Sequence, residues 1–316
     1  MSARVAVIDH EQVLAEIEPA EAIRLVEEAF TRFTDGDWVM PPKVYLTSPS
    51  GGDFRAMPSM GGGLAILKWI TSFPDNPARG LPTVTGTVLV SDAENGEPIA
   101  IVDARSVTAL RTGASAAVAT RALARSDAVT AGVVGSGLHG AWAARCLREI
   151  GYSNGVCYDV DMGRAQELAA ELGWRAGDLS EALGCDVVTT VTPGRAHVVR
   201  RTDLLPGQHL NALGADGSGK AEMEPEAVVA CRVFVDEWEQ ASHGGEIAGA
   251  VAAGSIGRSD CVELGRVLGG SEPGRTSAED ITLFDSTGLA IQDLAIVRGL
   301  IDRMRSGSMQ TRSVSL

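Results

Sequence analysis

The 316-residue chain has few cysteines and few histidines, five of each. Cys146, Cys157, Cys185, Cys231 and Cys261 are far apart and odd in number, and no pair stands at C-x-x-C spacing. This argues against a disulfide framework or a zinc site and for buried free thiols. His10, His139, His197, His209 and His243 form no H-x-x-x-H pair and no His/carboxylate cluster, so no metal is expected. No apolar run reaches the roughly 18 residues of a membrane span, and the N-terminus lacks a basic, then apolar signal segment. The expectation is a cytoplasmic protein without a membrane partner. A basic balance is missing too: 27 Lys and Arg against 41 Asp and Glu leave a net charge of -14, which argues against nucleic acid as a partner. There is no internal repeat and no low-complexity segment.

What is present describes a globular protein. A hydrophobic share of 45% with 22% charged residues supplies ample core, and 316 residues exceed the usual single domain, so two domains are expected. The chain is organised around Val129 to Gly140. Val129, Ala131, Val133 and Val134 form a β-prone run that leads into Gly135, Ser136, Gly137, Leu138 and Gly140 at G-x-G-x-x-G spacing. Gly135 permits the tight turn, Gly137 lets backbone approach a diphosphate, and Gly140 lets the following helix pack on its strand. The first amides of that helix then face the phosphates. A second strand-like run, Gly155 to Tyr158, ends in Asp159, roughly 20 residues on, where an acid suits both ribose hydroxyls of NAD. Arg164 nearby leaves NADP open, because an arginine can meet a 2′-phosphate.

Around this centre the pattern changes twice. Pro19 to Phe33 predicts an amphipathic helix, with Ala22, Leu25, Val26, Ala29, Phe30 and Phe33 at helical spacing. From Val39 to Ala104 short β-prone runs follow: Val44 to Leu46, Phe54 to Met57, Leu64 to Ile70, Thr83 to Ser91, and Pro98 to Val102. Asp92 to Gly96 is a hairpin turn by composition, and the segment predicts an antiparallel sheet. A helix rich in small residues is expected from Ser106 to about Arg125. Strands are then expected at Val129–Val134, Val156–Asp159, Val187–Val191, His209–Ala215, Arg232–Asp236 and Ile281–Asp285, alternating with helices. That alternation predicts a Rossmann-type, doubly wound parallel sheet. Gly288 to Met304 reads as a long apolar helix, and the tail from Ser306 as polar and frayed. The expected division is an α+β domain of residues 1–118 with 289–316, and a dinucleotide-binding domain of residues 119–288.

Ligands of open parallel sheets bind beyond the strand C-termini, which draws attention to Thr190, Val191 and Thr192, and to the glycine-rich loop from Asn211 to Lys220. Asp216 in that loop is either a solvated turn aspartate or a catalytic group. In the first domain Lys68 interrupts the apolar run from Leu64 to Ile70, on the face of Leu64 and Ile66, with Leu67 and Trp69 on the other. Both faces look covered, so Lys68 is either part of a structural ion pair or a desolvated lysine with a lowered pKa, suited to polarise a carbonyl or imine. Lys43, Arg55 and Arg111 add cations at the ends of neighbouring elements, able together to hold a carboxylate.

These residues sit in segments that resemble the ornithine cyclodeaminase/mu-crystallin family: RAMP from Arg55, Lys68, GLPTVTG from Gly80, TALRTGA from Thr108, the Gly135–Gly137 turn, GADGSGK from Gly214, and FDSTGLAIQD from Phe284. They occur in family order over nearly the whole chain. The resemblance implies a homodimer whose N-terminal sheet and last helix form the substrate-binding and dimerisation domain. It implies that Lys68 lies by the substrate, that Asp216 is the general acid/base, that Arg111 binds the substrate carboxylate, and that Thr83 and Gly288 line the pocket.

The family divides by reaction. Cyclodeaminase members oxidise a diamino acid with NAD, let its distal amine displace ammonia, and return the hydride. Alanine dehydrogenase and ketimine reductase members move hydride between a nicotinamide and an imine or amino acid. Where ornithine-specific members carry a glutamate before the Met-Pro pair, this sequence has Arg55, and a guanidinium repels a second ammonium. The implied activity is therefore NAD(H)-dependent oxidoreduction of a small α-amino acid and its imino or 2-oxo counterpart. The alternatives are a cyclodeaminase with recycled NAD, a synthase or dehydrogenase of amino-acid conjugates, and a non-catalytic ligand binder.

Overall fold

Every second side chain is buried along Leu64–Ser72, which is the period of a strand with one covered face. The computed structural model describes residues 4–193, 196–217 and 219–315, and its chain divides into two units, Met1–Arg111 with Leu289–Leu316, and Thr112–Gly288. The first unit holds β1 (Arg4–Ile8), β2 (Val44–Thr47), β3 (Asp53–Gly61), β4 (Leu64–Ser72), β5 (Val84–Asp92) and β6 (Pro98–Asp103). β2 to β6 form the expected antiparallel meander. The turn after β5 closes on Asp92, whose carboxylate accepts the N–H groups of Glu94 and Asn95.

Two strands of this sheet were not expected. β1 lies parallel to β6, and Arg312–Ser315 pairs antiparallel with β1 at the edge. The tail is thus a strand and is not frayed. All four of its residues are exposed, so main-chain pairing holds it, and pairing of that kind leaves no hydrophobic period to read.

Pro19 opens the helix Pro19–Thr34, where its fixed φ suits the first helical turn. The buried face is Ala22, Ile23, Leu25, Val26, Ala29 and Phe30. Helix Ala290–Ser306 packs on this face and on β3 and β4, and Gly307 ends it in the left-handed conformation. Helix Ala104–Leu123 starts ahead of the expected Ser106, because Asp103 at the end of β6 takes the N–H of Ser106.

Among its described residues the second unit has eight strands, all parallel: β7 (Thr130–Val134), β8 (Asn154–Tyr158), β9 (Arg175–Ala176), β10 (Val187–Thr190), β11 (His209–Ala212), β12 (Arg232–Val235), β13 (Cys261–Glu263) and β14 (Thr282–Asp285). The order is β13-β12-β14-β11-β10-β7-β8-β9. Val133 and Val187 point into one apolar cluster with Leu147 and Leu168. Their neighbours Val134 and Val188 point into another with Leu210 and Leu283. The sheet is covered on both faces, which is the Rossmann-type arrangement the sequence predicts. β9 and β13 were not expected; two and three residues are too short for a periodic signal. Chain order reverses between β7 and β10, and the crevice beyond their C-termini is the topological switch point. Among the described residues no helix is long and apolar enough to cross a membrane.

Candidate active site

In the second unit, β7 runs into Gly135, whose φ of 104° only glycine adopts without strain. A Cβ there would lie 2.8 Å from the carbonyl oxygen of Val191. On Gly140 a Cβ would strike the carbonyl oxygen of Gly135, so the helix Leu138–Glu149 packs closely only because that position is bare. Gly137 caps this helix without a side-chain partner, and a Cβ on it would meet nothing within 4 Å. The turn is tight on the strand side and open on the ligand side. Ser136 donates its N–H to Asp159 Oδ2 at 2.7 Å, and Asp161 donates to Oδ1 at 2.8 Å. The carboxylate is therefore fixed before any ribose arrives. Arg164 is drawn to Asp161, at 3.3 Å.

Thr190, Val191 and Thr192 lie beside this turn, since Val191 donates its N–H to the carbonyl of Val134. One residue that sequence reasoning missed holds them. Glu222 is fully buried, and its carboxylate accepts from Thr190 Oγ1 at 2.8 Å, Thr192 N at 2.6 Å and Gly214 N at 2.8 Å. It joins the loop after β10 to the loop that carries Asp216. Burial pushes its carboxyl pKa up while these donors oppose the shift. No signal marked it in a loop already rich in acids. Asp216 is half-buried and accepts from Lys220 Nζ at 2.6 Å, so it is no freely solvated turn residue. Ser218 of the same motif lies outside the described residues. Gly288 ends this unit with φ 77° and donates its N–H to the buried carboxylate of Asp236 at 2.7 Å.

The residues that hold a dinucleotide in other glycine-turn proteins are thus assembled in one place. The N-terminus of a 12-residue helix faces an open position at Gly137, and the Asp159 carboxylate at the end of β8 is held by the amide of Ser136. Gly135, Ser136, Gly137, Leu138, Gly140, Asp159 and Thr190 to Thr192 fit such a ligand.

In the first unit Lys68 shares the buried face of β4 with Leu64, Ile66 and Ile70. Its Nζ lies 2.8 Å from Oδ1 and 2.7 Å from Oδ2 of Asp293, and it donates to Thr108 Oγ1 at 3.1 Å. The other face of the sheet is less covered than expected, with Trp69 36% and Leu89 46% exposed. Burial lowers the Lys68 pKa to about 7. Asp293 resists that shift, and the charges of Arg111 and Lys43 add to it. Lys68 is therefore both things that the sequence left open, a desolvated lysine and a member of an ion pair.

Arg111 stands three residues after Thr108 on the same helix, so both reach one side. Its Nε is 3.5 Å from Asp293 Oδ1, and an Nη donates to Gln292 at 3.4 Å. Arg55 lies on the same side of the sheet as Lys68, since Met57 is opposite Lys68 and Arg55 opposite Ile70 in the β3–β4 register. It is buried, pairs with Asp53 at 2.6 and 3.1 Å, and lies 5.5 Å from the Tyr45 ring centroid. Lys43 precedes β2, and Thr83 precedes β5 with its carbonyl accepting from Phe73. Asp293 was missed as a site residue: an acid stands out in so apolar a helix, but its partners Lys68 and Arg111 lie far away in the sequence.

A family model, "Ornithine cyclodeaminase/mu-crystallin family", matches residues 4–308. The chain is 40% identical over 313 residues to an alanine dehydrogenase of Archaeoglobus fulgidus, covering 97% of each chain. It superposes on the structure of an archaeal alanine dehydrogenase dimer with bound NAD with a TM-score of 0.93, 39% identity, and 98% and 99% of the two chains covered. The structure of Thermococcus litoralis Delta(1)-pyrroline-2-carboxylate reductase, in complex with NADH and L-proline, matches with a TM-score of 0.93 at 26% identity, covering 98% and 100%. With a match over nearly its full length, this chain belongs to the ornithine cyclodeaminase/mu-crystallin family.

Proposed function

We propose that this chain is an NAD(H)-dependent oxidoreductase that interconverts a small α-amino acid and its imino or 2-oxo counterpart. The observation that carries the reading is Lys68, a fully buried ammonium held beside Arg111 in a chain whose relatives include an amino-acid dehydrogenase. In this reading the unit Thr112–Gly288 binds the dinucleotide. Gly135, Ser136, Gly137, Leu138 and Gly140 hold the diphosphate, Asp159 the ribose, and Thr190, Val191 and Thr192 the nicotinamide side. When bound, the cofactor supplies the hydride acceptor or donor.

Arg111 and Arg55, with Lys43, hold the substrate carboxylate by charge-assisted hydrogen bonds, and Thr83 and Gly288 line the pocket. Lys68 donates a hydrogen bond to the imine nitrogen or carbonyl oxygen, which favours electron density moving there. Asp216 takes the proton from the amine nitrogen as the C–N bond gains double-bond character, and returns it in the reverse direction. The exposed apolar side chains Tyr45, Leu46, Trp69 and Leu89 support a homodimer built on the sheet of the first unit. The five cysteines, all free, support the cytoplasm as its compartment.

The test is NADH oxidation with pyruvate and ammonia, then with a panel of other 2-oxo acids and cyclic imines, beside ammonia release from ornithine and lysine. Turnover of a 2-oxo acid or imine coupled to NADH is expected. Ammonia release from a diamino acid without net NADH would replace this reading with the cyclodeaminase one.

A further inference from the structure

Asp293 sits in the first turns of helix Ala290–Ser306, between Gln292 and Leu294, and is entirely buried. An acid there is costly unless cations meet it. Two do: the Lys68 ammonium, within 2.8 Å of both carboxylate oxygens, and the Arg111 guanidinium, 3.5 Å from one of them. Lys68 comes from β4 and Arg111 from helix Ala104–Leu123, so the carboxylate ties together three elements that are far apart in the chain.

We propose that Asp293 is a positioning residue for the substrate site, a shared counterion that holds Lys68 and Arg111 at a fixed spacing and direction. This rests on the reading above, that these two cations meet the substrate. A lysine side chain has four rotatable carbons and three donors. Here Lys68 donates to Asp293 Oδ1 and to Thr108 Oγ1, which itself donates to the carbonyl of Ala104 and so must accept from Lys68, while Asp293 Oδ2 lies within ion-pair distance of the same ammonium. The third donor is left for a substrate atom, and the Asp293 carboxylate, with both oxygens within 2.8 Å of Nζ, keeps the ammonium in place. Arg111 is steadied from the same helix turn, because Gln292 accepts from it and also from the N–H of Leu289.

The groups that act on Lys68 from the elements packed around it are Asp293 on one helix, Arg111 on another, and Lys43 ahead of β2, while Arg55 on β3 is offset by Asp53. Asp293 alone among these holds the proton on Lys68. In Asp293→Asn the burial and the neighbouring cations are unopposed, and the ammonium form is lost at lower pH. The expected result is a basic limb of the kcat/KM profile displaced toward acid by at least one pH unit. Activity at about pH 8 then falls roughly fivefold further than at about pH 6 when the limb moves by one pH unit. Loss of a purely structural contact would lower the whole profile without moving the limb.

The companion measurement needs no substrate. The Lys68 side-chain resonance is titrated by NMR in the wild-type chain and in D293N. A titration shifted toward acid supports the proposal even where the substrate profile does not follow, and in that case the functional role given to Lys68 fails, not the positioning. An unshifted titration in a folded D293N chain overturns the proposal. Asp293→Glu serves where D293N does not fold. It keeps the charge but moves it by one methylene, so the limb stays, kcat falls and KM for the amino acid rises. Wild-type kcat and KM in D293E would also overturn the proposal.

Discussion

Both oxygens of Glu246 receive the backbone N–H of Glu222, at 2.9 and 3.0 Å, and one of them also receives the N–H of Met223 at 2.6 Å. One buried carboxylate thus positions the backbone of another, and that other, Glu222, holds the loops of Thr192 and Gly214. Asp285, likewise buried, extends the group by accepting from Ile247. Among the described residues no lysine or arginine shares these hydrogen bonds; amides and hydroxyls meet Glu222 and Glu246, while Asp285 Oδ1 is buried without a hydrogen-bond partner.

Stability should therefore fall with rising pH in this part of the molecule. Burial, and then the charge of Glu222, raise the Glu246 pKa from 4.5 to about 8. Below 4.5 the group is protonated in both folded and unfolded chains and costs nothing. Between 4.5 and about 8 only the folded chain keeps the proton, so each step up in pH favours unfolding. In Glu246→Gln the amide oxygen still accepts the two backbone N–H groups without a charge to bury. Thermal unfolding from about pH 5 to pH 8 should show a declining Tm in the wild-type chain and a flatter one in E246Q. Parallel curves would exclude a raised Glu246 pKa.

Asp216→Asn separates chemistry from folding. The carboxylate pairs with Lys220 near the surface, with the two side chains 32% and 23% exposed, and such pairs contribute about 0–1 kcal/mol. The Tm should stay within a few degrees of wild type. Loss of a general acid/base costs roughly 10²- to 10⁴-fold in kcat. Steady-state rates and melting curves of the one variant check both halves, and undiminished turnover would remove Asp216 from the mechanism.

The glycine turn and the buried lysine were legible because each is a departure from a period: glycines where a strand should turn, a charge where alternation calls for an apolar side chain; Asp159 and Thr190 to Thr192 were singled out only by their places at or just past strand ends. Glu222 and Asp293 were less so. Both act by satisfying groups from distant segments, such as Gly214 and Thr190 for one and Lys68 and Arg111 for the other. That information belongs to tertiary packing, which one sequence does not display. The same holds for the edge strand Arg312–Ser315, whose partner is Arg4–Ile8 at the opposite end of the chain.

Gly137 and Gly140 have opposite reasons for lacking a side chain, and alanine tells them apart. In Gly140→Ala the new methyl group meets the backbone of Gly135, which cannot swing away as a flexible side chain could. The helix must move off its strand, so Tm should drop by several degrees, as overpacking costs about 1–3 kcal/mol. In Gly137→Ala the methyl group enters open space. That chain should melt like wild type yet bind NADH at least about tenfold more weakly, if the space takes the diphosphate as proposed. Fluorescence titration with NADH beside thermal melts reads both effects. Equal losses of stability in the two variants would contradict the close packing at one position and the open approach at the other.

Asp159 tests the choice between NAD and NADP. Its two oxygens are already engaged by Ser136 and Asp161 amides at 2.7 and 2.8 Å, so the carboxylate stays at the strand end as a fixed negative charge. A ribose with two hydroxyls gains hydrogen bonds from it, whereas a 2′-phosphate meets repulsion. In Asp159→Ser the hydroxyl can still accept from one amide while the charge is gone. Hydrogen bonds to a charged partner contribute about 1.5–3 kcal/mol, so KM for NADH should rise about tenfold or more, and KM for NADPH should fall. Arg164, now held by Asp161, is then a cation available to the phosphate. Measuring both cofactors on both chains decides the matter. An NADH preference unchanged in D159S would mean that discrimination resides elsewhere in the turn.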